Sequence, residues 1–470
     1  MHHRVFWKST RALLAVFVAS ACSADDAGPV AGNPSVAPDA TTSGGRTHSS
    51  AAGFSGVGWS IAPVTEDATR QALARAESGQ TGATDLTFVY YTPQHDPSRI
   101  VATLRGGQVK RRVIGMTSHD GLLTADGYHS APEGVVGVLA LRAAGMSMGI
   151  GGASFEEVAP AAEGEAARLA VRRAIADANR AAGEKPSMIV VIPTLRSEEK
   201  VLAAITEEVG PDVAVIGGTA AGPSKDIDLR RLREGLEWSI VVNDRVITAG
   251  AAVAVFYSAR PFAWAYAGGF ERSSTKSGVV TDAEPRMIRT IDGRPALDVY
   301  DEWLGGALKE AMARGENMLQ WCALHPFTRN VEGNGVVQTQ TLHPHPNPDQ
   351  KNEPGSILVG GNVAVGDRLN LGEGSWNILL NRFAQMPRQA KNNAQAIDPI
   401  AGLFFYCGGA LDTIPRGHRA NMSHLVSHSM GRELPWIGVF SWGEQGHVPG
   451  IGNLHGNEMA STLLFPSAER

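Results

Sequence analysis

Three stretches of this chain follow one order: apolar strand, helix, second strand, small-residue loop, returning strand. The clearest copy opens with Met188-Ile189-Val190-Val191-Ile192, an unbroken apolar run of strand length. A helical stretch follows, with Val201, Leu202 and Ile205 on one face and a stop at Gly210-Pro211. Val213 to Ile216 predicts the second strand and Gly217 to Gly222 the loop. Trp238 to Val242 and Ala251 to Phe256 then predict hairpin strands about Asn243-Asp244. Upstream, the same order runs through Leu86 to Tyr91, Arg112 to Ile114, the loop Gly115 to Gly121, and Val135 to Leu141. Downstream it runs through Gly402 to Tyr406, a helix around Met422 to Met430, Trp436-Ile437, the loop Gly438 to Gly446, and Leu454 to Phe465. First strands that are apolar at every position need cover on both faces. The expectation is an α/β fold of repeated strand-helix-strand-loop-strand units with mixed sheets.

The 470 residues exceed one ordinary domain. Between the second and third units the texture changes. Pro295 opens a helix with Leu297, Tyr300, Leu304 and Leu308 as its apolar stripe. Short strands at Val336 to Leu342, Ile357 to Val359 and Arg368 to Leu371 follow, the last after a turn at Gly366-Asp367, and helical spacing returns from Trp376 to Phe383 until Pro387. A domain boundary is placed near residue 260. Hydrophobic residues at 43% and charged residues at 19% describe a globular body. Lys and Arg number 42 against 47 Asp and Glu, a net charge of -5, so nothing draws the chain to a phosphate backbone and nucleic acid is not an expected partner.

Residues 1–22 read as a secretory signal. His2, His3, Arg4, Lys8 and Arg11 are basic, Ala12 to Val18 is apolar, and Ala19-Ser20-Ala21 precede Cys22 in the manner of a bacterial lipobox. The apolar run is too short to span a bilayer. An exported lipoprotein acylated at Cys22 is expected, periplasmic or held at the outer membrane and touching the membrane through its lipid alone. Plain secretion and a retained signal anchor are the alternatives. Residues 23–55 read as a flexible tether. Three cysteines build no disulfide framework, though Cys322 and Cys407 leave one bond open.

Val213 to Gly222, Asp292-Gly293-Arg294-Pro295-Ala296-Leu297 through Tyr300, the strand end Cys407-Gly408-Gly409, and Gly438 to Gly446 with its Gly443-Glu444 pair together resemble the FIST domain. This is a bacterial sensory module in two halves, and the likeness spans most of residues 60–466. The resemblance implies a FIST-type two-half architecture, FIST N-like over 56–260 and FIST C-like over 261–466. It also implies a small-molecule ligand, amino acid-like among others, and signalling through kinase, cyclase or chemoreceptor output domains. Some relatives are haem-bound nitric oxide sensors. This sequence differs in carrying an export signal, in lacking such an output domain, and in having Ala410 where the family commonly has arginine. A separate signalling partner is therefore expected.

Thr117-Ser118, Gly217-Gly218-Thr219 and Ser441-Trp442-Gly443-Glu444 occupy equivalent places in the three units. Glycines there open backbone N–H groups to a ligand, and the hydroxyls and carboxylate can fix a polar head. With Cys407, Gly408 and Asn457 they form the candidate ligand-binding set. The competing reading is tight turns closed by hydroxyl-to-backbone bonds. Glu444 favours a ligand with a positive or donor end. A hydrolase using the Cys407 thiol, with His455, His424 or His428 as base, or using Glu444, is the enzymatic alternative. His424 and His428 share a helix face and His343-Pro344-His345 is a second cluster, which keeps a haem-bound sensor as the other alternative. Neither a CxxCH nor an HExxH motif occurs, and no metal or cofactor is expected. Gly149-Ile150-Gly151-Gly152 lacks nucleotide-loop spacing and reads as a turn.

Overall fold

The computed structural model describes residues 42–467 except 51–52, 107–110, 162, 223–237, 395–396 and 432. The signal segment, Cys22 and most of the expected tether lie outside the described residues. The first unit comprises β1 (Ser43–Ser50), β2 (Gly53–Ser60), α1 (Thr65–Ala76), β3 (Leu86–Tyr91), α2 (Pro97–Arg105), β4 (Val113–Thr117), β5 (Leu122–Thr124), β6 (Gly127–His129) and β7 (Val136–Ala143). The second comprises β8 (Met146–Ser154), α3 (Phe155–Val158), α4 (Glu163–Asp177), β9 (Met188–Pro193), α5 (Glu198–Val209), β10 (Val215–Gly218), β11 (Ile240–Val242), β12 (Arg245–Ile247) and β13 (Gly250–Ser258). In both, the first strand pairs parallel with the second and antiparallel with the return strand: β3 with β4 and β7, β9 with β10 and β13.

The third unit begins with β14 (Ala263–Gly268) and is then interrupted. The insertion contains β15 (Glu271–Glu284), β16 (Met287–Ile291), β17 (Arg294–Pro295), α6 (Ala296–Trp303), α7 (Ala307–Ala313), α8 (Met318–Cys322), β18 (Phe327–Gly333), β19 (Val336–Leu342), β20 (Pro344–Pro346), β21 (Ile357–Val359), β22 (Arg368–Glu373) and α9 (Trp376–Ala384). Its strands form a sheet of their own around Tyr300, Trp303 and Phe327. The unit resumes with α10 (Met386–Asn393), β23 (Pro399–Cys407), α11 (Gly408–Thr413), α12 (Arg416–Met430), β24 (Trp436–Ser441), β25 (Glu444–Val448), β26 (Gly452–Gly456) and β27 (Met459–Pro466). β23 pairs parallel with β24 and antiparallel with β27, completing the third copy.

Each unit also lends a hairpin to a neighbour. β5 and β6 of the first unit extend the third unit's sheet through β24. β25 and β26 of the third extend the second through β10, and β11 and β12 of the second extend the first through β4. The exchange closes into a cycle, so no unit has a complete sheet alone. One core takes side chains from all three, including Phe88, Ile114, Val190, Ile216, Phe405, Val439 and Phe465. Burial of each such side chain contributes roughly 1.5–3 kcal/mol, and here that gain is available only when all three units are present.

The repeat is longer than the sequence suggests, because each copy also has a leading strand and a helix laid on it. α1 packs on β2 and β7, α4 on β8 and β13, and α10 on β14 and β27. Glycines make the first two contacts possible. A Cβ on Gly56 or Gly58 would fall on the Ala76 or Ala72 carbonyl of α1, and one on Gly149 or Gly151 on the Ala174 or Ala170 carbonyl of α4. Residues 149–152, expected as a turn, are thus the middle of β8.

Three further differences follow from pairing that composition does not reveal. Residues 43–50, inside the expected tether, form edge strand β1 along the whole of β2, held by backbone bonds with almost no apolar burial. Gly44 lies under the Trp59 ring, where a Cβ would come within 2.9 Å. Asn243-Asp244, with Asn243 at φ 53, turns between β11 and β12, whereas residues 250–258 are the return strand beside β9. The expected last strand from Leu454 is two, β26 and β27, separated by Asn457-Glu458. No described helix is long and apolar enough to cross a membrane.

Candidate functional site

The strand-end loops of the three units meet through backbone bonds. Thr219 N donates to Gly443 O at 2.9 Å, Trp442 N to Thr219 O at 3.2 Å, Ala221 N to Thr117 O at 3.1 Å, and His119 N to Phe440 O at 2.9 Å. Where these loops face the insertion, a cavity of about 540 Å³ opens, within the size range of small-molecule sites. The units contribute His119, Leu195, Glu199, Cys407, Asp412, Trp442, Asn457 and Glu458 to its lining. The insertion contributes Arg286, Met287, Leu319, His343, His345, Leu358 and Val359.

Glu458 connects β26 to β27 in a left-handed conformation, φ 51, that a non-glycine residue adopts at a cost. Its side chain is 0% exposed. Oε1 lies 3.0 Å from His343 Nδ1, so the imidazole donates from Nδ1. Among the described residues, Oε2 and His343 Nε2 are buried without a partner, and both residues line the cavity. Cys407 ends β23 beside them. Burial, together with the nearby carboxyls of Glu444 and Glu458, pushes its thiol well above the ordinary value, although the N–H groups of Ala410 and Glu458 pull the other way. A thiol held protonated in this way is a poor nucleophile. Burial also lowers the His345 pKa to about 4, with His343 adding to the effect, which keeps that imidazole neutral.

His119 lies in the first unit's loop, just after β4, and is 2% exposed. Its Nδ1 lies 2.7 Å from Gly222 O and its Nε2 3.0 Å from Asp412 Oδ2. Two acceptors ask for two N–H groups. Burial alone would lower the His119 pKa, but Asp412, the Gly222 carbonyl and Asp120 together raise it. Gly408 is glycine because a Cβ there would come within 2.9 Å of this ring.

On the opposite wall, Arg286 at the β15–β16 turn reaches α5, placing Nη2 2.7 Å from Glu198 Oε2 and 2.5 Å from Glu199 Oε2. Asn362 N donates to Glu199 Oε1 at 2.7 Å and Thr219 Oγ1 to Glu198 Oε1 at 3.2 Å. Burial raises the Glu199 pKa, but His455, Arg286 and the Asn362 N–H overcome it and hold the carboxyl at about 2. Glu198, Glu199 and His455 place ligand-type atoms within 4.8 Å of one another. The Arg286 guanidinium already supplies the positive charge this group requires. Gln445 Nε2 donates to His455 Nδ1 at 3.1 Å, and His455 Nε2 faces Gly360 O at 3.2 Å. The donor set therefore suits an ion-pair brace better than a metal.

Of the candidate ligand-binding residues, Cys407, Trp442 and Asn457 line the cavity. The others lie behind it or in the loop contacts. Thr117 Oγ1 accepts from Ser239 N at 3.1 Å, Ser118 Oγ accepts from Phe440 N at 2.9 Å, and Thr219 Oγ1 accepts from Gln445 Nε2 at 3.0 Å. Ser441 Oγ donates to Glu444 Oε1 at 2.8 Å while Met459 N donates to Glu444 Oε2 at 3.1 Å, which occupies both carboxyl oxygens of that fully buried side chain. Burial pushes the Glu444 pKa well up. Gly217, Gly218, Gly408 and Gly443 provide close packing, with a Cβ on Gly218 coming within 2.8 Å of Ser441 Cβ. His424 and His428 lie on the exposed face of α12. Sequence reasoning missed Glu458, Asp412, Arg286, Glu198 and Glu199. Only His343 carried a signal, as half of the His-Pro-His cluster.

Residues 85–294 match the FIST N domain family model and residues 296–447 the FIST C domain family model. The division falls within the insertion, before α6. No curated protein matches the chain.

Proposed function

The chain belongs to the FIST family, whose domains are sensory ligand-binding modules, and we propose that it senses a small molecule held in the cavity between the three-unit cycle and the insertion. One observation carries this reading: the cavity has apolar walls and, on its lining, a fully buried carboxylate with one oxygen left without a partner among the described residues. Leaving such an atom unsatisfied costs about 1–3 kcal/mol or more, which a ligand donor would recover. A ligand there would touch Glu458 and Trp442 on the cycle and His343 and Leu358 on the insertion, so its binding would set how firmly the two are held together. In this reading the protein is exported and lipid-anchored at Cys22, and a separate partner reads the bound state. Ala19-Ser20-Ala21-Cys22 after an apolar run supports that address.

The test is native mass spectrometry and visible spectroscopy of protein purified without added ligand, followed by refolding and titration with any molecule released. A retained molecule that rebinds unchanged, and loses affinity when Leu358→Trp fills the wall, is the expected result. A molecule consumed on rebinding would favour the hydrolase alternative, and a visible absorption band the haem alternative. The address is checked separately: an acyl mass on Cys22, lost in Cys22→Ala, is expected.

A further inference from the structure

We propose that the ligand of this cavity carries an ammonium head, seated on Glu458 beside His343, on an apolar body larger than a free amino acid; this rests on the reading that the cavity holds a ligand at all. The head group follows from what the two residues lack. Glu458 uses Oε1 on His343 Nδ1 and leaves Oε2 buried and unpaired. His343 Nε2, on the far side of the ring from that bond, is likewise buried without a partner among the described residues. A buried carboxylate oxygen without a partner on the cavity lining calls for a cationic N–H donor, and an ammonium supplies three N–H groups.

Charge points the same way. Among the described residues the positive groups of the lining are already matched: Arg286 by Glu198 and Glu199, His119 by Asp412, and Lys200 by Glu163 at 3.1 Å, while Arg196 is not free either. Asp412 also has Arg419 at 3.5 Å, and Glu284 has Arg289. Among the described residues, the Glu458 carboxyl has only the His343 ring as a partner. The Glu458 carboxyl raises the neighbouring Cys407 pKa, which marks this end as electronegative. Leu195, Pro285, Met287, Leu319, Leu358 and Val359 offer a wall for an aryl or alkyl body, and about 540 Å³ is the scale of drug-sized ligands. Arg286 Nε, buried and unpaired on the same lining, leaves a place for one acceptor along that body.

Calorimetry with the full chain and three probes of one shape isolates the head: 4-phenylbutylamine, 4-phenylbutanol and 4-phenylbutyrate. The amine should bind at least tenfold more tightly than the alcohol, and the carboxylate should bind most weakly. Glu458→Gln should reduce the preference for amine over alcohol at least tenfold while leaving alcohol affinity within twofold. If that variant does not fold, Glu458→Asp, which withdraws the oxygen but keeps the charge, should reduce the same preference. Alcohol or carboxylate binding as tightly as the amine would overturn the ammonium head and leave the cavity reading intact. An amine preference unchanged in a folded Glu458 variant would do the same. Binding by none of the three would overturn this proposal, while a different molecule retained on purification would still uphold the cavity reading.

Discussion

His119 Nε2 and Asp412 Oδ2, 3.0 Å apart, join the loop of the first unit to the helix that follows the first strand of the third. The ring's other nitrogen faces the Gly222 carbonyl, so the bonded form is the imidazolium. Burial opposes that charge, but Asp412, the carbonyl and Asp120 raise the pKa above its ordinary 6.5. A histidine whose folded pKa is raised stabilises fully below its unfolded value, and the contribution fades as pH rises through the folded value. Urea midpoints should therefore fall between pH 6.5 and the raised value as the ring deprotonates. Asp412→Asn should flatten that slope. An identical slope in the variant would assign the effect to other groups.

Gly115 and Gly217 sit at the same place in the first two units, each paired with a valine of the first strand, Val89 or Val191. A Cβ on either would fall on that valine's carbonyl oxygen. The third unit has Val439 at this position, paired with Phe405. Copying it as Gly115→Val or Gly217→Val should destabilise by roughly 1–3 kcal/mol or more, because backbone cannot yield as a side chain does. Chemical denaturation of each variant measures this, and a loss below 0.5 kcal/mol would mean that the strands shift freely.

The three units were legible because their first strands are buried on both faces and read as unbroken apolar runs, as in Met188 to Ile192. Their leading strands were not, because β2 and β8 spend alternate positions on glycines that admit α1 and α4 and so look like loops. The cyclic exchange of hairpins is a matter of register between distant segments, such as Gly218 with Glu444, and leaves no local pattern. The site divides in the same way. Cys407 and Trp442 end strands and were visible as loop residues beside glycines. Glu458 and His343 acquire meaning only when a turn of the third unit meets the insertion.

Glu444 shows how a carboxyl that looks functional in sequence can be occupied with structure. Both its oxygens accept bonds, and burial pushes its pKa well up, which favours the neutral acid. Glutamine resembles that form: its oxygen can accept from Met459 N, and Ser441 can turn to accept from its amide. Glu444→Gln should cost within about 1 kcal/mol and leave ligand affinity unchanged, whereas Glu444→Ala should cost about 1–3 kcal/mol by stranding both donors. Thermal melts and ligand titration of the two variants check this, and a tenfold affinity loss in the glutamine variant would place Glu444 in the site.

Arg286 braces the insertion against α5 by pairing with two carboxylates, and Glu198 is 0% exposed. Removing one partner of a buried pair leaves a charge without compensation, which costs about 3–5 kcal/mol, whereas replacing both can be nearly neutral. Arg286→Met should therefore destabilise severely. Glu198→Gln should cost less, since Thr219 Oγ1 still donates to the amide oxygen and Glu199 still pairs with the arginine. In the double variant the glutamine removes the stranded charge, so the two losses should fall short of additivity by at least 1 kcal/mol. Glu199 gives an independent readout. Its pKa of about 2 means that stability is lost as pH falls from the ordinary carboxylate value of 4.5 toward 2. Arg286 shares with His455 and the Asn362 N–H the task of holding Glu199 ionised against burial. In Arg286→Met the folded pKa of Glu199 should move up toward its unfolded value, so this acid-side loss should shrink. Additive urea midpoints together with an unchanged acid limb would show that the arginine packs at this wall without pairing.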